Sequence, residues 1–532
     1  MSRKNRTAFY ALSILLCWVA AIEPGAAPAL PGPAAGRVRR GEILEVRVRV
    51  EKAYENPYVQ GGVMAKFVSP SGRIWEIGGF WDGGQNWGIR FSPDETGEWR
   101  YSARSRGHGF VQEGSFVCVP SEHRGVLRIN PRYPYSFAYS DGTPFFWMGD
   151  TAWGALWDQV TLDDFKRYVD RRAAQHFNTI HMLTYEGRNE GGEPFLNGDR
   201  DRLNPAYYQS VDRKLEYLQA KDIGAGLCLT WAQDFLAYAP GQFERYIRYM
   251  VARYAAYRNI VWFVSGEFEE EKTSADYAQF GELLSMLDPY RHPVSIHTID
   301  SSNEFAERSW LAYVMQQIRE EDGGVPISQL LRDLGRRDVR VVNEVPTVTV
   351  AEADRLHACI LQDRRYGKPV VNAEFGYEQY DGRTGLRNRV TPDAVRKLAW
   401  AIVTAGGYFT YGNEATYYKP WSLPQQELGG AEFMRHLYAF MTGTQFWKLE
   451  PHDELLDYGY CLAAPGEEYV IYLAQGREVR LRLDTAEGKF LGRWYDPRTG
   501  RFAQTIELWG KKRPLLRPPS ADDWVLWIRR SN

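Results

Sequence analysis

Cysteine is scarce in this chain, five residues in 532, and the four beyond the N-terminal apolar run (Cys118, Cys228, Cys359 and Cys461) are far apart with no CxxC or CxxxxC pair. That spacing speaks against a disulfide framework and against a cysteine zinc site, and the four read as small buried hydrophobes. Histidine is sparse too, nine residues with no HxH or HExxH pair, so neither a catalytic metal nor a cofactor is expected. An excess of one charge is also missing: 65 basic and 67 acidic residues leave a formal net charge of -2. No chain-wide field therefore favours nucleic acid, an anionic membrane or a polyanionic substrate, and a neutral partner fits best. No internal repeat occurs, and the Ala/Pro/Gly stretch before Arg37 is the one low-complexity tract.

Long apolar runs are absent except near the start, where Arg3, Lys4 and Arg6 precede an apolar stretch from Thr7 to Ile22 and then small residues and prolines to Gly36. This is the layout of a secretory signal peptide, so residues 1–36 are expected to be signal and linker, and the location secreted or periplasmic. The run falls short of the roughly 20 residues of a spanning helix, which makes an uncleaved anchor the alternative and stable membrane insertion unexpected. Leu16 before Cys17 argues against lipoprotein processing.

What the chain does have is aromatic surface: 14% of residues, including 18 Trp and 33 Tyr, and flat rings are what apolar sugar faces stack against, although large cores use them equally. At 532 residues it is too long for a single core. From Gly41 to about Pro120, short β-rich runs separated by turn signals such as Asp82-Gly83-Gly84 predict an N-terminal Ig-like β-sandwich over 41–120. Apolar strand-like runs then alternate with amphipathic helices, which predicts βα units closing into a (β/α)8 TIM barrel over 124–443. Eight candidate strands can be read, Phe145 to Gly149, Thr179 to Leu183, Ala225 to Thr230, Ile260 to Ser265, Pro293 to His297, Trp310 to Met315, Pro369 to Ala373 and Gly407 to Tyr411. Thr161 with Asp164 forms a capping box at one helix start, and Thr391-Pro392 opens another that ends at Gly406. The helical period is lost from about Thr444, and short strands with the turn Asp496 to Gly500 predict a second β-sandwich over 444–532.

In such a barrel the active site is built at the C-terminal ends of the strands. Ile260 to Gly266 leads into Glu267 at the end of strand four, and Pro369 to Ala373 leads into Glu374 at the end of strand seven. Strands four and seven lie across the mouth from each other, and glycosidic cleavage needs two carboxyl groups, one to protonate the departing oxygen and one to attack the anomeric carbon or activate water. Glu269, in the acidic run after Glu267, is a rival for its role. Asp150 and Trp153 after strand one suit a sugar hydroxyl pair and a ring face, though Asp150 equally suits a turn cap. His181, Trp231, His297, Gln316 with Gln317, Tyr411 and Asn413 also fall at or near strand ends, where each suits substrate contact or the orientation of a carboxylate.

These residues resemble the apiosidase-like glycoside hydrolases, which carry an N-terminal sandwich, a (β/α)8 catalytic domain and a C-terminal sandwich often labelled collagen-binding. The resemblance spans nearly the whole chain after the leader and rests on Pro144 to Trp153, on Phe177-Asn178-Thr179-Ile180, on Lys368 to Glu374 with Tyr377-Glu378, and on Trp494 to Gly500. It implies retaining hydrolysis with Glu374 as nucleophile and the acid/base on the residue after the strand-four glycine, Glu267. Tyr377 joins the expected substrate contacts. Two departures stand out: Ser265-Gly266-Glu267 replaces the usual Gly-Gly-Asp, and Gln316-Gln317-Ile318-Arg319 replaces a Gln-Ser-Gly-His type sequence. They bear on the substrate more than on the reaction, and no apiose specificity is read from the resemblance. A secreted glycosidase of plant or microbial polysaccharide or oligosaccharide is thus expected, with a non-catalytic carbohydrate-binding or adhesion protein as the alternative.

Overall fold

The computed structural model describes residues 36–107, 109–157, 160–268, 274–318, 348–378, 391–413, 416 and 429–531. The leader, Glu269 and Arg319 lie outside them. No helix among the described residues is long and apolar enough to cross a membrane. The four described cysteines are buried free thiols.

Eight parallel strands make the central sheet: β1 (Met148–Thr151), β2 (Thr179–Leu183), β3 (Gly224–Cys228), β4 (Ile260–Phe263), β5 (Val294–Ser295), β6 (Val314–Gln316), β7 (Val370–Asn372) and β8 (Tyr408–Asn413). Their order is β5-β4-β3-β2-β1-β8-β7-β6. A bridge between Val294 and Leu311, with the Ala312 amide donating to the Val294 carbonyl at 2.8 Å, brings the outer strands together and nearly closes a TIM barrel. Strands such as Thr-Ile-His-Met-Leu of β2 are buried at every position, as parallel strands with a core on one face and helices on the other must be.

The helices surrounding the barrel are α1 (Leu162–Ala174), α2 (Pro205–Ala220), α3 (Gln242–Tyr254), α4 (Ser274–Leu287), α5 (Val348–Arg364), α6 (Pro392–Thr404) and α7 (Gly430–Met441). The Thr161–Asp164 box starts α1, and Thr391 caps α6 by accepting from the Ala394 amide at 3.1 Å. Gly406 follows α6 at φ +74°, the left-handed turn that glycine adopts without strain.

Two antiparallel-rich sheets, one of five strands and one of three, form the N-terminal region between Gly36 and Val119. Phe67 stacks on Phe91 at 4.1 Å across their shared core. This region packs on the α2–α3 flank of the barrel rather than over its mouth. There Arg90, on the strand Asn86–Phe91, and Arg253 of α3 both reach Asp212 of α2 at 2.6 Å, all three largely buried. The C-terminal region carries β9 (Glu450–Pro451), β10 (Tyr460–Ala464), β11 (Glu468–Leu473), β12 (Lys489–Asp496), β13 (Arg501–Trp509) and β14 (Trp524–Arg530) in one antiparallel sheet, order β9-β10-β11-β14-β12-β13. It packs on α6 and α7, with Trp400 stacked on Tyr472 at 5.7 Å and Arg396 paired with buried Asp523 at 2.8 Å.

Candidate active site

Backbone pairing continues past the ends of β3, β4 and β5 and fixes the groups that follow. The Gly266 amide donates to the Thr230 carbonyl at 3.0 Å and the Ala232 amide to the Gly266 carbonyl at 3.0 Å, which sets Trp231 beside Gly266. A Cβ on Gly266 would lie 2.1 Å from the Trp231 ring, so only glycine lets the indole rest on this backbone. Trp231 Nε1 then donates to Glu267 Oε2 at 3.2 Å, and Gln317 Nε2 donates to Glu267 Oε1 at 2.9 Å from the end of β6. Glu267 itself sits at φ +43°, a left-handed conformation unfavourable for a residue with a Cβ. Such strain persists only where surrounding contacts over-determine it, and the two donors on its carboxylate are such contacts.

Across the mouth, the Ala373 amide donates to the Gln316 carbonyl at 2.6 Å, and the Glu374 amide to Asn372 Oδ1 at 3.2 Å. Glu374 is 3% exposed, its Oε1 accepting from Trp153 Nε1 at 3.1 Å and lying 3.6 Å from His297 Nε2. The His297 amide donates to the Ser265 carbonyl at 2.9 Å, continuing the β4–β5 pairing. The two halves meet through their rings: Trp153 and Trp231 are 5.3 Å apart edge to face, and His297 lies 5.2 Å from the first and 5.6 Å from the second. Each carboxylate is thus held by one member of a touching indole pair.

His181 lines the barrel just below, 5.9 Å from Trp153 and 4.7 Å from Phe263. Burial, reinforced by neighbouring His297, pushes its pKa well below the usual imidazole range. It therefore stays neutral and offers no acidic proton at ordinary pH. Tyr377 lies in a short extension beside β8, its ring against the backbone of Gly412, and Asn413 Oδ1 accepts from the Thr416 amide at 3.0 Å.

Three expected residues are not brought to the carboxylates. Asp150, Tyr411 and Gln316 stand on the strand face turned toward the helices, because alternate residues of a strand point to opposite sides. Asp150 accepts from Arg172 Nε and the Tyr168 hydroxyl, both at 2.6 Å, and is fully buried. Burial raises its pKa despite the Arg172 guanidinium. The Tyr411 hydroxyl donates to Glu378 at 2.6 Å, and Gln316 Nε2 to the Cys359 carbonyl of α5 at 3.0 Å. It is Gln317, one residue on, that reaches Glu267. Gln317 is among the expected strand-end residues, whereas Asn372, which holds the Glu374 backbone, is not. Counting alternation forward from Tyr313, whose ring packs on inward-facing Trp147 at 5.4 Å, selects Gln317 over Gln316.

The chain matches three family models: "Apiosidase-like, catalytic domain" over residues 133–448, "Domain of unknown function (DUF5060)" over 37–106, and "Putative collagen-binding domain of a collagenase" over 452–529. No curated protein matches it. Among solved structures it is similar to one titled a putative glycoside hydrolase from Bacteroides vulgatus ATCC 8482, with a TM-score of 0.73 and 21% identity over 93% of this chain and 100% of that one. A glycoside hydrolase family 5 structure from the same organism gives a TM-score of 0.63 at 20% identity over 76% of this chain and 94% of that one. At such identities these likenesses speak for the fold. The catalytic-domain match covers more than half of the 532 residues, and the chain belongs to the apiosidase-like family and is a glycoside hydrolase.

Proposed function

We propose that this glycosidase acts by retention on plant or microbial polysaccharide or oligosaccharide, with Glu374 as nucleophile and Glu267 as acid/base. The observation that carries the reading is the pair of touching indoles, Trp153 and Trp231, each donating to one of the two carboxylates. In the first step Glu374 attacks the anomeric carbon while Glu267 gives its proton to the departing glycosidic oxygen, leaving a glycosyl ester on Glu374. In the second, Glu267 takes a proton from water as its oxygen attacks the anomeric carbon from the face the leaving group occupied, opposite Glu374, breaking the ester and restoring the configuration. Two inversions give net retention. Gln317 and Trp231 hold Glu267 through both steps, and His297 orients Glu374. Trp153, Trp231 and Tyr377 are the groups offered to sugar rings and hydroxyls, with neutral His181 closing the floor.

The same reading takes residues 1–36 as an export signal and linker, giving a secreted or periplasmic enzyme, and divides the remainder at 41–120, 124–443 and 444–532. Screening the purified chain on aryl glycosides and on pectic and hemicellulosic oligosaccharides, with the first-formed anomer read by NMR, tests the mechanism. Retention supports it, and inversion overturns it. Mass spectrometry of the exported protein tests the signal, which fails if the mature chain still begins at Met1.

A further inference from the structure

The C-terminal sheet turns one face to the barrel, and that face is only partly covered. Tyr472 and Tyr495 pack against α6 and α7, and Phe440 of α7 reaches Trp527 at 5.7 Å and Phe502 at 6.1 Å. Beyond Phe440 the sheet continues uncovered through β14, β12 and the edge strand β13. Trp509 is 56% exposed, Leu491 40% and Phe502 37%, and they stand among basic side chains.

Rings and cations are interleaved on this face. The Arg529 guanidinium lies 5.3 Å from the Trp527 ring, Arg493 lies 3.9 Å over Phe502, and the Lys489 ammonium is 6.0 Å from Trp509. The register puts Arg493 opposite Trp527 on one side, and Lys489 opposite Trp509 on the other. Trp527 and Trp509 are therefore two strands apart, about 10 Å, and four residues apart, about 13 Å, on one sheet surface. That is a length over which several sugar rings of an extended chain would lie.

Charge decides what kind of chain. Lys489 is paired with Glu507 at 2.5 Å, and Arg529 stands 4.0 Å from Glu468, which is buried beneath and already accepts from Trp527 Nε1 at 2.7 Å. Arg493 has no acidic partner among the described residues. The uncovered face is thus locally basic on a molecule whose net charge is -2. Protein partners are held by contiguous apolar patches, whereas here the stacked Phe502–Trp527 pair, 5.9 Å between ring centroids, and Trp509 are interleaved with Arg493, Arg529 and Lys489. Nucleic acid calls for many more phosphate contacts than three cations supply.

We propose that this face of the C-terminal sheet is a second carbohydrate-binding site, separate from the barrel mouth, which takes a linear polysaccharide bearing carboxylates. Trp509 and the Phe502–Trp527 pair stack on sugar faces, and Arg493 pairs with uronate carboxylates between them. The site does not depend on the roles of Glu267 and Glu374.

Affinity electrophoresis of the full chain in native gels containing polygalacturonic acid, hydroxyethylcellulose or soluble triple-helical collagen tests it. Polygalacturonate should retard the wild type, added salt should weaken the retardation, and Trp509→Ala and Arg493→Ala should each lower apparent affinity about tenfold, the loss of roughly 1.4 kcal/mol of stacking or charge pairing. Both variants should keep the wild-type Tm and hydrolysis rate on a soluble aryl glycoside. No retardation by polygalacturonate, or retardation that neither substitution changes, overturns the proposal. Equal retardation by the neutral glucan that survives Arg493→Ala overturns its ionic part, and retardation by collagen instead of polygalacturonate assigns the face to protein.

Discussion

Replacing Gly266 by alanine isolates the contact on which the acid/base assignment depends. The added methyl would sit 2.1 Å from two carbons of the Trp231 ring, where apolar carbons rest at about 3.5–4 Å, so the indole must move by more than about 1 Å or the strand end must shift. Either movement pulls Trp231 Nε1 from its 3.2 Å contact with Glu267 and tilts a carboxylate already held at φ +43°. Displacements of about 1 Å at a reacting group cost on the order of 100-fold in rate, and overpacking costs about 1–3 kcal/mol of stability. The expectation for Gly266→Ala is thus a fall in kcat/KM of about 100-fold on substrates with poor leaving groups, a smaller fall on activated aryl glycosides, and a modest drop in Tm. Steady-state kinetics on a matched leaving-group series, with calorimetry on the same samples, reads all three. Wild-type kcat/KM across the series would refute the claim that Trp231 positions Glu267.

Glu267→Ala should cripple substrates that need protonation, spare glycosylation by activated aryl glycosides, and respond to added azide in the second step; the same behaviour in Glu269→Ala instead would move the acid/base role to Glu269. Gln317→Leu should lower kcat on poor leaving groups by about tenfold or more, because a donor to Glu267 is lost, while Gln316→Leu should lower Tm and leave kcat nearly unchanged. Reversal of that contrast would show that the two glutamines have been assigned to the wrong faces. Asp212→Asn should destabilise the chain at neutral pH by less than the ~3–5 kcal/mol of a wholly unpaired buried charge, since buried Arg90 and Arg253 would lose their shared carboxylate but keep Glu45 at 2.9 Å and Asp82 at 3.0 Å. Burial alone would raise the Asp212 pKa, but Arg253 and Arg90 outweigh it and hold it below the usual range. Its contribution is therefore present above the unfolded carboxylate pKa and lost as pH falls through the lowered folded value, so the deficit of Asp212→Asn in thermal scans should shrink toward acid. A deficit independent of pH would contradict this.

Much of the barrel was legible because its strands are continuous apolar runs whose ends carry the polar residues. Glu267 and Glu374 could be placed on opposite strands from spacing alone. What the sequence concealed was side and register. Asp150, Tyr411 and Gln316 sit at strand ends like the residues that reach the two carboxylates, but which face a residue takes follows from the strand's alignment with its neighbours, and one step of alternation exchanges Gln316 for Gln317. The contact between Trp231 and Gly266 depends on the β3–β4 register, which no local pattern encodes. β5, two residues long, and the bridge at Leu311 that nearly closes the barrel were blurred for the same reason.

The central claim is that sugar is carried covalently on Glu374. Incubating the chain with a 2-deoxy-2-fluoro glycoside of whichever sugar the aryl screen selects, then mapping the peptides by mass spectrometry, traps that ester directly. The account predicts one added glycosyl mass on the peptide holding Glu374, absent in Glu374→Gln. A label on any other carboxylate, or no label from an enzyme that releases inverted product, would contradict it.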